Sequence, residues 1–187
     1  MLHPNTPQTI FDKMLPINLT PFPKLSTTRL LLRQLQLSDA NEIFLLRADD
    51  TVNAFIDRQK ATSIDEAAAF INKIIAIQNN GEGIMWAITL NHDPKLLGTI
   101  SIRNIVKEKA EAEIGFELLP QLQGKGIMLE ALKAVVKLCF DTMKLKKIVA
   151  EPRADNLRSV KLLEKCGFTK TDGTDGKYLI YELSGNS

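Results

Sequence analysis

Three alternating segments set close together, IMWAITL, LLGTISIRNI and EAEIGFELL, constrain this chain more than any other feature. Each is rich in strand-forming residues, and only the short NHDPK and KEKA stretches part them, so they read as neighbouring antiparallel strands joined by turns. The next segment changes period. After PQLQGKG, apolar residues at positions 127, 128, 131, 132, 135, 136, 138 and 139 recur as on one helix face, predicting a long helix to about Met143. KKIVAEP is a short strand beyond it. Hairpins followed by a strand-helix-strand crossover imply a mixed sheet with helices on both faces.

The remaining elements follow from local signals. RLLLRQL is a first strand, and LSDANEIFLLRAD a helix with Ser38 or Asp39 as N-cap. Ser63 and Glu66 form a capping box before AAAFINKIIAI, which NNGEG ends. NLRSVKLLEKCGF is a helix opened by Asp155 or Asn156 and stopped by Gly167, and KYLIYEL is the last strand. The predicted order is β-α-α-β-β-β-α-β-α-β-β, an α/β arrangement with a mostly antiparallel seven-stranded sheet. Residues 1–25, with prolines at 4, 7, 16, 21 and 23, read as an extended arm before one domain at 26–187, with order expected from near Arg29.

With 187 residues, 44% hydrophobic and 25% charged, the chain can bury one ordinary core. Its longest apolar runs are too short or interrupted to span a bilayer, and the N-terminus has no secretory pattern, so a cytoplasmic protein without a membrane partner is expected. Cys139 and Cys166 sit in apolar helical patterns, and His3 and His92 are the only histidines, so no metal site is expected. The net charge of +2 conceals an asymmetry: residues 121–170 carry 11 Lys and Arg against 5 Asp and Glu, whereas residues 1–120 carry 12 against 14. No aromatic residues interleave with the lysines, which argues against nucleic acid.

The basic excess coincides with Gly124 and Gly126, parted only by Lys125 and followed at once by the long helix. Two missing Cβ atoms at the positive end of a helix suit a seat for an anion, and also suit a tight turn. A P-loop nucleotide site is a poor reading, because GKGIM lacks the upstream glycine and the Ser or Thr after the lysine.

This order of elements, with Gln121, Gly124 and Gly126 between the fourth strand and its helix, resembles the GNAT superfamily of acetyl-CoA-dependent N-acetyltransferases. EIGFELLPQLQGKGIMLEAL, ADNLRSVKLLEKCGF and TTRLLLRQLQLSDANEIF resemble its RimJ/RimL branch, which includes enzymes acting on N-terminal amines of ribosomal proteins. The resemblance implies that acetyl-CoA lies with its pyrophosphate on the amides of Gln123, Gly124, Lys125, Gly126 and Ile127. Phe116 to Leu118 would sit where the fourth strand bulges from the fifth to pair with the pantetheine arm, Phe116 or Leu118 polarising the acetyl carbonyl through its backbone N–H. An ordinary buried strand accounts for Ile114, Phe116 and Leu118 equally well.

Asn156 and Ser159 share a helix face; Asn156 reads as a cofactor contact or simply an N-cap. Many GNAT enzymes carry a tyrosine as acid where this chain has Leu163. The resemblance puts Ser159 in its place, and the departure also admits a second reading, a non-catalytic acyl-CoA-binding module. Glu111, Glu113 and Glu117 alternate onto the strand's other face; Glu113 and Glu117 are the preferred bases, and a solvated strand face is the alternative. Ser101, on a middle strand, is expected to lie away from the site. The acceptor is a small-molecule amine or a protein N-terminus, and the assembly a monomer or homodimer.

Overall fold

The three alternating segments pair as a meander in the computed structural model, which describes residues 21–185. They are β3 (Ile84–Leu90), β4 (Asp93–Val106) and β5 (Glu111–Leu118), all antiparallel. On their outer side stand β2 (Leu30–Gln34) and the two-residue β1 (Leu25–Ser26). The long helix α4 (Ile127–Asp141) carries the chain over to β6 (Lys147–Ala150), which is parallel to β5. Helix α5 (Leu157–Lys165) leads to β7 (Thr169–Asp175) and β8 (Tyr178–Ser184). The sheet runs β1-β2-β3-β4-β5-β6-β8-β7, eight strands rather than seven, because β1 is too short to show as a sequence pattern.

Ordered contacts begin ahead of Arg29. Leu25 and Ser26 pair with Leu32 and Leu31, Phe22 meets Trp86 edge-on at 6.1 Å, and the Trp86 indole N–H donates to Pro23 O at 2.7 Å. A buried indole requires an acceptor, and this one ties the approach of the chain to the sheet. The rest of the expected arm, residues 1–20, lies outside the described residues.

Period-two alternation distributes the sheet's side chains between two cores. Ile84, Trp86, Ile88, Ile100, Ile102 and Ile114 pack with Ala131, Leu132, Val135 and Cys139 of α4. On the other face Leu35, Ala87 and Leu96 pack with α1 (Ala40–Ala48) and α3 (Ile64–Asn79) through Ile43, Ala67 and Ile71. Burial pushes the Cys139 thiol up to about 12, which agrees with a packing role.

Two caps differ from expectation. Asp39 makes no side-chain cap, because its carboxylate takes two bonds from buried Arg33, at 2.8 and 2.6 Å, and one from the Gln36 N–H. A guanidinium within reach of a buried carboxylate outcompetes a backbone amide. Ser63 does cap α3, accepting from the Glu66 N–H at 3.2 Å, but Glu66 turns to the N–H and hydroxyl of Thr62 and leaves the box half made. A one-turn helix α2 (Asp50–Asn53) was not legible from periodicity.

Candidate active site

Strand β5 stays paired with β4 as far as Leu118, opposite Gly98, whereas its pairing with β6 runs only from Glu111 to Glu113. From Ile114 onward its other edge has no strand partner among the described residues. The expected opening is therefore a divergence of β5 from β6, with the β4 register intact beside it. Gly98 makes that register attainable, since a Cβ there would stand 2.2 Å from Glu117 O.

Below the divergence the chain enters the glycine loop. Gly124 and Gly126 have φ of +77° and +75°, which other residues rarely adopt, and a Cβ on Gly124 would meet nothing within 4 Å. The glycines are thus demanded by backbone conformation at the head of α4. The Gln123 N–H is bonded to Pro120 O, so the series of available donors starts one residue later than expected. Among the described residues, the N–H groups of Gly124, Lys125, Gly126, Ile127, Met128 and Leu129 have no protein acceptor. Six such donors at a helix N-terminus can hold an oxyanion. The Gln123 side chain instead braces the loop, donating to Leu118 O at 3.1 Å and accepting from Arg158 of α5 at 2.9 Å. Gln121 lies exposed in the turn Pro120–Leu122.

Where β5 and β6 part, a cleft of about 350 Å³ opens between the sheet, α5, the loop after α2 and the start of β8. It brings together Glu113, Phe116, Glu117, Asn156 and Ser159. Leu118, Gln121 and Gln123 to Ile127 do not line it. Ser101 does, contrary to expectation, with its hydroxyl toward Gly115 O at 3.4 Å. Its strand partner Gly115 has no side chain to cover it.

Asn156 is the N-cap of α5, accepting from the Ser159 N–H at 3.1 Å, and both side chains border the cleft. Leu163, where the family resemblance implies a tyrosine, is fully buried at the cleft wall. The glutamates differ sharply. Glu111 pairs with Lys147, outside the cleft. Glu117 is held by both guanidinium nitrogens of Arg58, at 2.6 and 2.7 Å, and Glu113 by Arg103 and Asn104. Both carboxylates are therefore committed to ion pairs with neighbouring side chains.

Glu151, at the end of β6, was not singled out from the sequence. It lines the cleft and, among the described residues, has no ion-pair or hydrogen-bond partner. Desolvation first, then the negative charges of Glu113 and Asp175, raise its pKa from the ordinary value, with Arg103 acting in the opposite direction. Its one local signal is position, since it closes a strand just before a capped helix. Asp57, which also lines the cleft, accepts from Lys177 and from the Tyr178 hydroxyl, both at 2.8 Å, and so ties the loop after α2 to the β7–β8 hairpin. The described residues hold no cluster of three or more metal-ligating side chains and no helix long and apolar enough to cross a membrane.

Comparison with known proteins fits this geometry. The profile of the acetyltransferase (GNAT) domain matches residues 29–169. The uncharacterized N-acetyltransferase YoaA of Bacillus subtilis is 34% identical over 149 residues, 80% of this chain and 84% of its own length. A ribosomal-protein alanine N-acetyltransferase of Escherichia coli is 27% identical over 115 residues, 61% of this chain and 59% of its own. Among solved structures, RimL, a ribosomal-protein acetyltransferase in complex with coenzyme A, superposes with a TM-score of 0.76. It covers 87% of this chain and 98% of that one at 22% identity, a likeness of fold.

Proposed function

Because this chain belongs to the GNAT family of N-acetyltransferases, we propose that it is of the RimJ/RimL kind and acetylates the N-terminal amine of a protein from acetyl-CoA. The observation that carries this reading is the run of six N–H groups from Gly124 to Leu129 that have no acceptor among the described residues, in the loop and helix start that follow the strand β5 where it has left β6. A diphosphate on those amides leaves its pantetheine arm directed along the free edge of β5, toward the cleft. Acetyl-CoA supplies an activated acyl group; the protein supplies position and proton traffic.

In this proposal the residues of the cleft divide the work. Glu151 accepts the proton of the incoming ammonium, since it is the unpaired carboxylate there and its raised affinity for protons suits a base. Glu113 and Glu117 are held in ion pairs with Arg103 and Arg58. The Ser159 hydroxyl hydrogen-bonds the sulfur as charge develops on it, and relays a proton rather than acting as a strong acid. Support for a protein acceptor comes from relatives such as the Escherichia coli enzyme, which acts on a ribosomal protein.

The test is release of free coenzyme A by the purified protein with a panel of amines, paired with mass spectrometry of N-terminal acetylation in the host with and without it. Thiol release with peptides bearing free N-termini, and a set of N-termini that lose acetylation, are expected. Release with small polyamines alone would overturn the acceptor assignment.

A further inference from the structure

Arg29 lies 101 residues from Glu130 in sequence but against it in space. Its Nε donates to Glu130 Oε2 at 2.6 Å and its backbone N–H to Oε1 at 2.9 Å, while the Thr27 hydroxyl donates to the same Oε1 at 2.5 Å. Glu130 belongs to the first turn of α4. Held this way, the guanidinium turns its Nη1 onto the carbonyl of Lys125 at 3.2 Å. Its Nη2 lies in the space left by Gly126, 3.4 Å from where a Cβ would stand.

This contact fixes more than one oxygen. In a trans peptide the C=O and the following N–H point in opposite directions. Drawing the Lys125 carbonyl toward Arg29 therefore turns the Gly126 N–H the other way, into the series of free donors. The same guanidinium offsets the negative charge of Glu130, which would otherwise oppose an anion at the head of the helix. Neither effect requires Arg29 to touch the ligand.

Building on the donor site given above, we propose that Arg29 is a positioning residue for the diphosphate of acetyl-CoA: it locks the Lys125–Gly126 peptide in its anion-binding orientation. The contribution is confined to the phosphate end of the donor and leaves the pantetheine arm and the chemistry unaffected.

Calorimetric titration with coenzyme A, and competition with millimolar pantetheine, which lacks the diphosphate, test this on the wild-type protein, Arg29→Gln and Arg29→Lys. Arg29→Gln is expected to weaken coenzyme A binding about ten- to a hundredfold, the range for loss of a charge-assisted hydrogen bond. Pantetheine affinity should stay within about twofold, since it reports on the cleft and on an intact fold. Arg29→Lys keeps the charge but not the fork that spans Lys125 and Glu130, so it should remain impaired. Equal losses for both ligands in Arg29→Gln, or full recovery in Arg29→Lys, would overturn the positioning role. An Arg29→Gln protein with the wild-type preference for coenzyme A would overturn it too. If the wild-type protein itself showed no preference for coenzyme A over pantetheine, the anion seat would be wrong, a failure distinct from that of Arg29.

Discussion

Glu151 and Ser159 are the residues whose chemistry is most exposed to test. A base must be ionised to accept a proton, so kcat/KM should rise with pH through the pKa of Glu151, which its surroundings raise from the ordinary value. Glu151→Gln should abolish that acidic limb and lower the plateau about a hundredfold or more. Asp175→Asn removes one of the repelling charges and should move the limb to lower pH. A limb that stayed in place in both variants would point to another base. Ser159→Ala should lower kcat about ten- to a thousandfold with little change in acetyl-CoA affinity, against Ser38→Ala, exposed before α1, as control. Equal kcat in the two would leave solvent as the proton source. Ser101 cannot serve as that control, since it borders the cleft. Asn156 as N-cap and the glycine pair were legible because their signals are local. Glu151 and Arg29 were not, because the charges that act on them, Glu113 and Asp175 for the first and Glu130 for the second, come from distant strands and a helix.

At the level of elements, the two kinds of glycine predict two kinds of failure. Gly124 meets no neighbour but holds φ at +77°, so Gly124→Val should keep the fold and lose coenzyme A binding, as the loop leaves the left-handed region that valine avoids. Gly98 has an ordinary φ but no room, and Gly98→Ala should force β4 from β5 and destabilise the protein by a few kcal/mol in denaturant titration. Reversed outcomes, binding kept in the first and stability kept in the second, would contradict the loop and strand geometry. The longer helices and the strands of the meander were readable from period together with caps and turns. The short β1 and α2 were not, since two residues and a single turn carry no period, and tertiary contacts such as Trp86 to Pro23 make the first of them worthwhile.

Across the whole molecule, protection should follow depth in the sheet. Residues of β3 are buried almost throughout, whereas β7 is an edge strand that is exposed at nearly every position. Hydrogen exchange read by mass spectrometry should therefore be slowest in β3 and β4 and fastest in β7. Equal rates in β3 and β7 would contradict the layering. The sheet's architecture was legible as a class, a meander followed by a crossover, but the placing of β8 between β6 and β7 was not, because no local pattern records which strand an edge will accept. That placing has a consequence for biogenesis. As a growing polypeptide leaves the ribosome, β2 to β5 can assemble from near neighbours. Strand β6 must then wait with an open edge until α5, β7 and finally β8 have emerged to close it. The stretch Lys147–Ala150 is thus where a nascent chain of this protein is most open to a chaperone, or to a wrong partner.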